Sequence, residues 1–204
     1  DVTTLAPGDR VMGMIGFPSG GGGYSEYVIA PAIDLAIVPE ELDLMSAGAL
    51  PLAALTAWQA LFEVAELEAG QKVLIHAGAG GVGHFAVQFA LERGAHVIAT
   101  ASSSNRDFLA GLGVHEVIDY HTTRVEEECF GLDVVLDLIG GDVGKRSLHT
   151  LSEHGVLVTI PTVTADEIIT QAESMGLRAH GMTVRPDVFH LEEVAELIED
   201  GDVR

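Results

Sequence analysis

Residues 72–88 constrain this chain most: Lys-Val-Leu-Ile-His-Ala-Gly78-Ala-Gly80-Gly-Val-Gly83-His-Phe-Ala-Val-Gln. An apolar run of strand length enters Gly78-x-Gly80-x-x-Gly83, and an amphipathic segment leaves it. Glycine-rich turns are common, but this one has the flanking strand and helix that a dinucleotide-binding turn requires. Gly78 permits a tight turn, Gly80 lets backbone approach a pyrophosphate, and Gly83 lets the helix pack closely on the sheet. The helix N-terminus then faces the anion. The alternative is a tight strand–helix turn that binds nothing.

The same alternation continues along the chain. Strands are expected over 72–77, 96–100, 116–119, 133–138, 155–160 and 177–184, and helices over 53–65, 82–93, 104–112, 142–151 and 187–200. In the last helix Leu191, Val194, Ala195 and Ile198 fall on one face, opposite Glu192, Glu193, Glu196 and Glu199. Repeated β-α units with short loops imply a parallel sheet covered by helices on both faces. Residues 1–50 lack helical periodicity. Apolar runs at 11–15, 24–29 and 35–38, punctuated by Gly and Pro, read there as short strands of a β-rich unit. The expected fold is α/β: a Rossmann-type doubly wound parallel sheet over 51–186, preceded by part of a β domain over 1–50 and followed by a helix over 187–204.

Composition removes several classes of partner. The 204 residues are 48% hydrophobic, enough for a sizeable core, and carry 10 Lys+Arg against 31 Asp+Glu, a net charge of −21. Such a field repels nucleic acid and anionic membrane, so neither is an expected partner. An ordinary acidic cytoplasmic enzyme and one adapted to high salt both fit this balance. Cys129 stands alone, without a CxxC pair or a possible internal disulfide, and a reducing cytoplasm is the default setting. Two long uncharged stretches, 44–62 and 73–91, could mimic membrane spans. Pro51 interrupts the first and the glycine cluster the second, so both read as core segments. No basic n-region or apolar h-region opens the sequence, so no secretory leader is expected.

About twenty residues beyond the glycine turn, NAD-binding folds place an acid on the adenosine ribose. Here residues 101–106 are Ala-Ser102-Ser103-Ser104-Asn-Arg106, without a carboxylate. Small hydroxyls and an arginine suit a 2′-phosphate, favouring NADPH over NADH. The missing acid also argues against an S-adenosylmethionine site. The alternative for this stretch is that Ser104, with Asp107 three residues on, caps the next helix.

Taken in order, Pro7-Gly-Asp-Arg-Val11, Gly23-Tyr-Ser-Glu-Tyr-Val28, Leu50-Pro, Leu55-Thr-Ala-Trp58, the glycine turn, Val117-Ile-Asp-Tyr120 and Asp137-Leu-Ile-Gly-Gly141 resemble the medium-chain dehydrogenase/reductase superfamily. Within it they resemble the zinc-independent quinone oxidoreductase branch. The resemblance implies that 1–50 is the C-terminal part of a GroES-like catalytic domain, 51–186 the cofactor domain, and 187–204 a helix leading back toward the first. It implies a fragment lacking both termini, whose family catalytic residues lie upstream of Asp1, so no catalytic residue is assigned here. It implies no metal: residues 12–22 contain no cysteine, and Leu52 stands where the zinc alcohol dehydrogenases carry a ligating cysteine.

By the same resemblance Gly80, Gly81 and Val82 form the pyrophosphate turn, and Arg106 with Ser102 and Ser103 holds the 2′-phosphate. Tyr120 packs near that phosphate or is a sheet-edge aromatic. Thr56 faces the nicotinamide half, and Ile139, Gly140, Ile160 and Pro161 lie on loops at the carboxyl edge of the sheet. Cys129 matches no family site. The implied activity is hydride transfer from NADPH to a quinone or α,β-unsaturated carbonyl without zinc. Enoyl or alkenal reduction by the same machinery is the alternative, as is a non-catalytic NADP-binding protein, crystallin-like or inactive through truncation. Homodimerisation through an edge strand at 177–184 is also implied.

Overall fold

The computed structural model of the protein describes residues 2–204. In chain order its elements are β1 (Val11–Gly13), β2 (Leu35–Ile37), α1 (Leu44–Trp58), β3 (Lys72–Ile75), α2 (Gly81–Glu92), β4 (His96–Ala101), α3 (Arg106–Leu112), β5 (Glu116–Asp119), α4 (Val125–Glu128), β6 (Leu132–Asp137), α5 (Gly141–Ser147), β7 (Leu151–Thr159), α6 (Thr162–Ser174), β8 (Arg178–Gly181) and α7 (Val188–Glu199). They form two compact units: Asp1–Thr56 with Val184–Arg204, and Ala57–Thr183.

In the first unit β1 and β2 pair antiparallel, Met12 opposite Ala36. α7 packs on β2 and buries the Leu191, Val194 and Ala195 stripe predicted from its spacing. Its N-terminus is capped by the Asp187 carboxylate, which accepts from the His190 amide at 3.2 Å. α1 starts where Asp43 accepts the amides of Met45 and Ser46 at 2.9 and 3.1 Å.

The second unit is one six-stranded sheet in the order β5-β4-β3-β6-β7-β8, every adjacent pair parallel. This is the doubly wound order, and its direction of winding reverses between β3 and β6. The register aligns Leu74 with Ile98 on one side and with Val135 on the other, and Val135 in turn with Leu157. These side chains are almost wholly buried and join Leu148 and Ile168 in the core. Burial on both faces explains why the central strands read as continuous apolar runs.

Four expectations need correction. Residues 24–29 form no strand; Tyr24, Tyr27 and Ile29 are fully or almost fully exposed, and the small sheet has only β1 and β2 to share its hydrogen bonds. The first helix starts at Leu44, so residues 1–50 are not free of helix. The Asp43 cap and the burial of Ala47, Leu50 and Pro51 outweigh the backbone bond that Pro51 removes. α6 was not foreseen: its buried stripe is Ala165, Ile168 and Ala172, two of them too small to give a strong period. The single turn α4 was also missed, since Val125 is its one buried apolar residue.

The stretch Leu44–Val64, 21 residues of mean hydropathy 1.3, is long and apolar enough to cross a membrane, and 56% of its most apolar window is buried inside the protein. That burial accounts for its composition. The stretch 73–91 divides into β3 and α2.

Candidate cofactor site

The glycine turn connects β3 to α2 at the carboxyl edge of the sheet, beside the point where the winding reverses. Its first residue, Ala77, has a positive φ of 50° and carries a carbonyl that accepts the Gly80 amide at 2.8 Å. A Cβ on Gly83 would stand 2.1 Å from that carbonyl oxygen, and one on Gly78 would stand 2.7 Å from the Ala99 methyl of the neighbouring strand. These two glycines permit the close approach of helix to turn and of turn to sheet. Gly81 faces open space instead. The amides that open α2, those of Gly81, Val82 and Gly83, have no acceptor within the helix and are available to an anion.

At the end of β4, Ser102 and Ser104 share a hydrogen bond of 2.8 Å between their hydroxyls. Neither the short 3-10 turn at Ser103–Asn105 nor α3 has a side-chain cap. The alternative reading of Ser104 as a helix cap is therefore not realised. Arg106 is exposed at the first turn of α3 and forms no ion pair among the described residues.

Across the switch point, the loop after β6 is organised by Asp137, a fully buried carboxylate. Its Oδ1 accepts the amides of Ile139 and Gly140 at 3.0 and 2.8 Å, and its Oδ2 accepts the Thr159 hydroxyl at 2.9 Å. Gly140 has φ of 78°, and a Cβ there would lie 2.4 Å from the Thr164 hydroxyl oxygen and 3.0 Å from Pro161. Ile139 is half exposed at this edge, and Ile160 and Pro161 follow β7 beside it, with the Ile160 amide donating to the Asp137 carbonyl at 3.0 Å.

A cleft of about 410 Å³ opens at the carboxyl ends of β3 to β6, under α4 and α5. Tyr120, Val125, Ile139 and Val143 give it apolar walls, and His76, Glu126 and Arg146 supply polar groups. His76 is buried between β4 and α5. Ser147 donates to the Val143 carbonyl at 2.8 Å, leaving its oxygen to accept from His76 Nε2 at 2.8 Å. His76 Nδ1 then accepts from the Thr100 hydroxyl at 3.2 Å, and Thr100 accepts the Ala77 amide at 3.1 Å. This network fits a neutral Nε2–H imidazole. Burial pushes the imidazole down to about 4; the Asp137 carboxylate opposes the shift, the Arg146 charge adds to it, and Glu126 opposes it.

Glu126 and Arg146 form an ion pair, Nε to Oε1 at 3.0 Å, directed off the N–H axis, so it lacks hydrogen-bond geometry. Glu126 Oε2 is buried and accepts no hydrogen bond from the described residues.

Of the residues expected at a site, Gly80, Ser102, Ser103, Tyr120, Ile139, Gly140, Ile160 and Pro161 lie on the connections after β3, β4, β5, β6 and β7, and Gly81, Val82 and Arg106 open the helices that follow β3 and β4. Tyr120 and Ile139 line the cleft itself; the rest surround the turn and the edge. Thr56 belongs to the other unit, buried, with its hydroxyl donating to the Leu52 carbonyl at 2.6 Å. Cys129 is a core residue, and burial pushes its thiol up to about 11. The sequence reading missed His76, Asp137, Glu126 and Arg146 as site residues. His76 and Asp137 were signalled as polar residues at the ends of buried strands, whereas Glu126 and Arg146 resemble ordinary surface charges in sequence.

A doubly wound sheet with a phosphate-type turn at its switch point defines a dinucleotide-binding protein by fold. The family model described as zinc-binding dehydrogenase matches residues 81–199, more than half of the chain. The quinone oxidoreductase from Coxiella burnetii superposes with a TM-score of 0.94 at 41% identity, over 100% of this chain and 64% of that one. The CurK enoyl reductase superposes with a TM-score of 0.78 at 28% identity, over 87% of this chain and 58% of that one. A polyketide synthase of Streptomyces halstedii is 36% identical over 210 residues, covering 98% of this chain but 4% of the synthase. The chain belongs to the zinc-binding dehydrogenase family of the medium-chain dehydrogenase/reductase superfamily and is quinone oxidoreductase-like within it. It spans less than two thirds of the length of each of these relatives.

Proposed function

We propose that the chain is the cofactor-binding portion of an NADPH-dependent oxidoreductase that transfers hydride to a quinone or an α,β-unsaturated carbonyl without zinc. The observation that carries this reading is the carboxyl edge of β4, where Ser102, Ser103 and an unpaired Arg106 stand in place of a ribose-binding acid. The residues fit a phosphorylated dinucleotide. The open backbone at Gly81 and the first amides of α2 suit a pyrophosphate. The Arg106 guanidinium and the serine hydroxyls suit a 2′-phosphate, and the apolar cleft at Tyr120, Val125 and Ile139 suits a flat base.

NADPH supplies a hydride when bound. The chain's part is to bind and orient it, with Asp137 keeping the Ile139–Gly140 loop rigid at the crevice and Gly83 keeping α2 against the turn. Leu52 at the ligand position of the zinc alcohol dehydrogenases supports a metal-free reading. A homodimer pairing along the open edge of β8 and a cytoplasmic setting complete the proposal.

Titration with NADPH and NADH, followed by nicotinamide fluorescence, tests the cofactor assignment. NADPH is expected to bind more tightly, and Arg106→Ala to weaken NADPH about tenfold or more while leaving NADH unchanged. Equal or tighter binding of NADH would overturn the 2′-phosphate reading. The likeness to an enoyl reductase supports a second reading for the acceptor. Oxidation of NADPH by an enoyl thioester, with none by quinones, would select it, and binding without turnover would select a non-catalytic protein.

A further inference from the structure

We infer that Thr100 is a positioning residue: its hydroxyl holds the glycine turn in the shape that presents the opening amides of α2 to a pyrophosphate. The inference rests on the reading that this turn binds a dinucleotide. Ala77 enters the turn with φ of 50°. Such left-handed backbone is uncommon for a residue with a Cβ and relaxes unless its surroundings hold it. Two bonds to one residue of β4 do so. The Ala77 amide donates to the Thr100 hydroxyl oxygen at 3.1 Å, and the Gly78 amide donates to the Thr100 carbonyl at 2.9 Å. The second bond is independent of the side chain; the first is the hydroxyl's own.

That hydroxyl is itself held. The Ala77 amide can only donate and the Val143 carbonyl can only accept, and three side chains join them. Thr100 donates to His76 Nδ1 at 3.2 Å, His76 Nε2 donates to Ser147 at 2.8 Å, and Ser147 donates to the Val143 carbonyl at 2.8 Å. With both ends fixed, every group donates to the next in one direction, and the Thr100 hydrogen stays on His76. His76, Thr100 and Ser147 are buried, so water does not compete for these bonds. The chain of bonds starts in the turn after β3 and ends on α5 after β6, so it ties the turn across the point where the winding reverses. A turn fixed before the ligand arrives loses less binding energy to ordering.

The test compares NADPH with adenosine 2′-monophosphate, which keeps the base and the 2′-phosphate but has no group for the turn, on the 204-residue chain. Thr100→Val has nearly the same shape without the hydroxyl. It is expected to bind NADPH about tenfold more weakly while its calorimetric affinity for adenosine 2′-monophosphate stays within about twofold of the wild type. Thr100→Ser restores the hydroxyl and should bind NADPH within about threefold of the wild type. Unchanged NADPH binding by the valine variant overturns the inference. So does an equal loss of both compounds, which marks general damage, or a serine variant as weak as the valine one. If the wild type binds NADH and neither compound with a 2′-phosphate, that part of the cofactor reading fails alone. NADH then replaces NADPH in the comparison: a tenfold loss in Thr100→Val supports the inference, and no loss overturns it. If no dinucleotide binds the wild type, the cofactor reading fails and takes the inference with it.

Discussion

Asp137 holds Gly140 by a hydrogen bond of 2.8 Å from the glycine amide to Oδ1, and Gly140 has the positive φ of 78° that closes the loop around that carboxylate. With Ile139 and Thr159 also donating to it, one fully buried side chain satisfies three donors and shapes the crevice edge. Asp137→Ala leaves all three unpaired and should cost about 3 kcal/mol of unfolding free energy, measured by urea denaturation. Asp137→Asn, which keeps an acceptor for the two amides, should cost less. A loss of under about 1 kcal/mol for the alanine variant would contradict this account.

The glycine turn separates fold from binding. Gly83→Ala pushes a methyl group to 2.1 Å from the Ala77 carbonyl and should destabilise the protein by about 3 kcal/mol. Gly81→Ala meets nothing within 4 Å and should melt within a few degrees of the wild type. Thermal melts of the two variants side by side check this contrast.

His76 predicts the direction of an acid-induced loss. Its folded pKa is lowered from 6.5 to about 4, chiefly by burial, so between these values the unfolded chain takes up a proton that the folded chain refuses. Stability is therefore fully present above about pH 7 and falls as the pH drops toward 4, by roughly 2 kcal/mol between pH 7 and pH 5. Urea midpoints at the two pH values should differ more for the wild type than for His76→Gln, in which no imidazole titrates.

Cys129 should be silent in the native protein. Its thiol is buried and raised to about 11, by burial first and then by Glu116 and Glu128. A disulfide reagent at pH 8 should label it within minutes in denaturant and far more slowly without. Fast labelling of the folded chain would mean that β6 and α4 open readily.

Much of the fold was legible because it is written in local signals. The strand at 116–119 was read to the residue, and the α2 and α7 boundaries to within one residue, the helices because each has a wide apolar stripe. α6 escaped because alanines do much of its packing, and the start of α1 because Pro51 reads as a breaker until its burial is known. The strand expected at 24–29 had the right residues but no neighbour to pair with.

The sequence by itself determined the alternating sheet and helices, the phosphate-type turn and the absence of an acid after β4, because each depends on residues close together in the chain. Only the tertiary structure decided the chemistry of the cleft. His76 meets Ser147 across 71 residues, and Asp137 meets Thr159 across 22. Whether a histidine is neutral or a carboxylate satisfied depends on burial and on partners that the sheet order brings together. Local propensity and spacing carry no record of those distances.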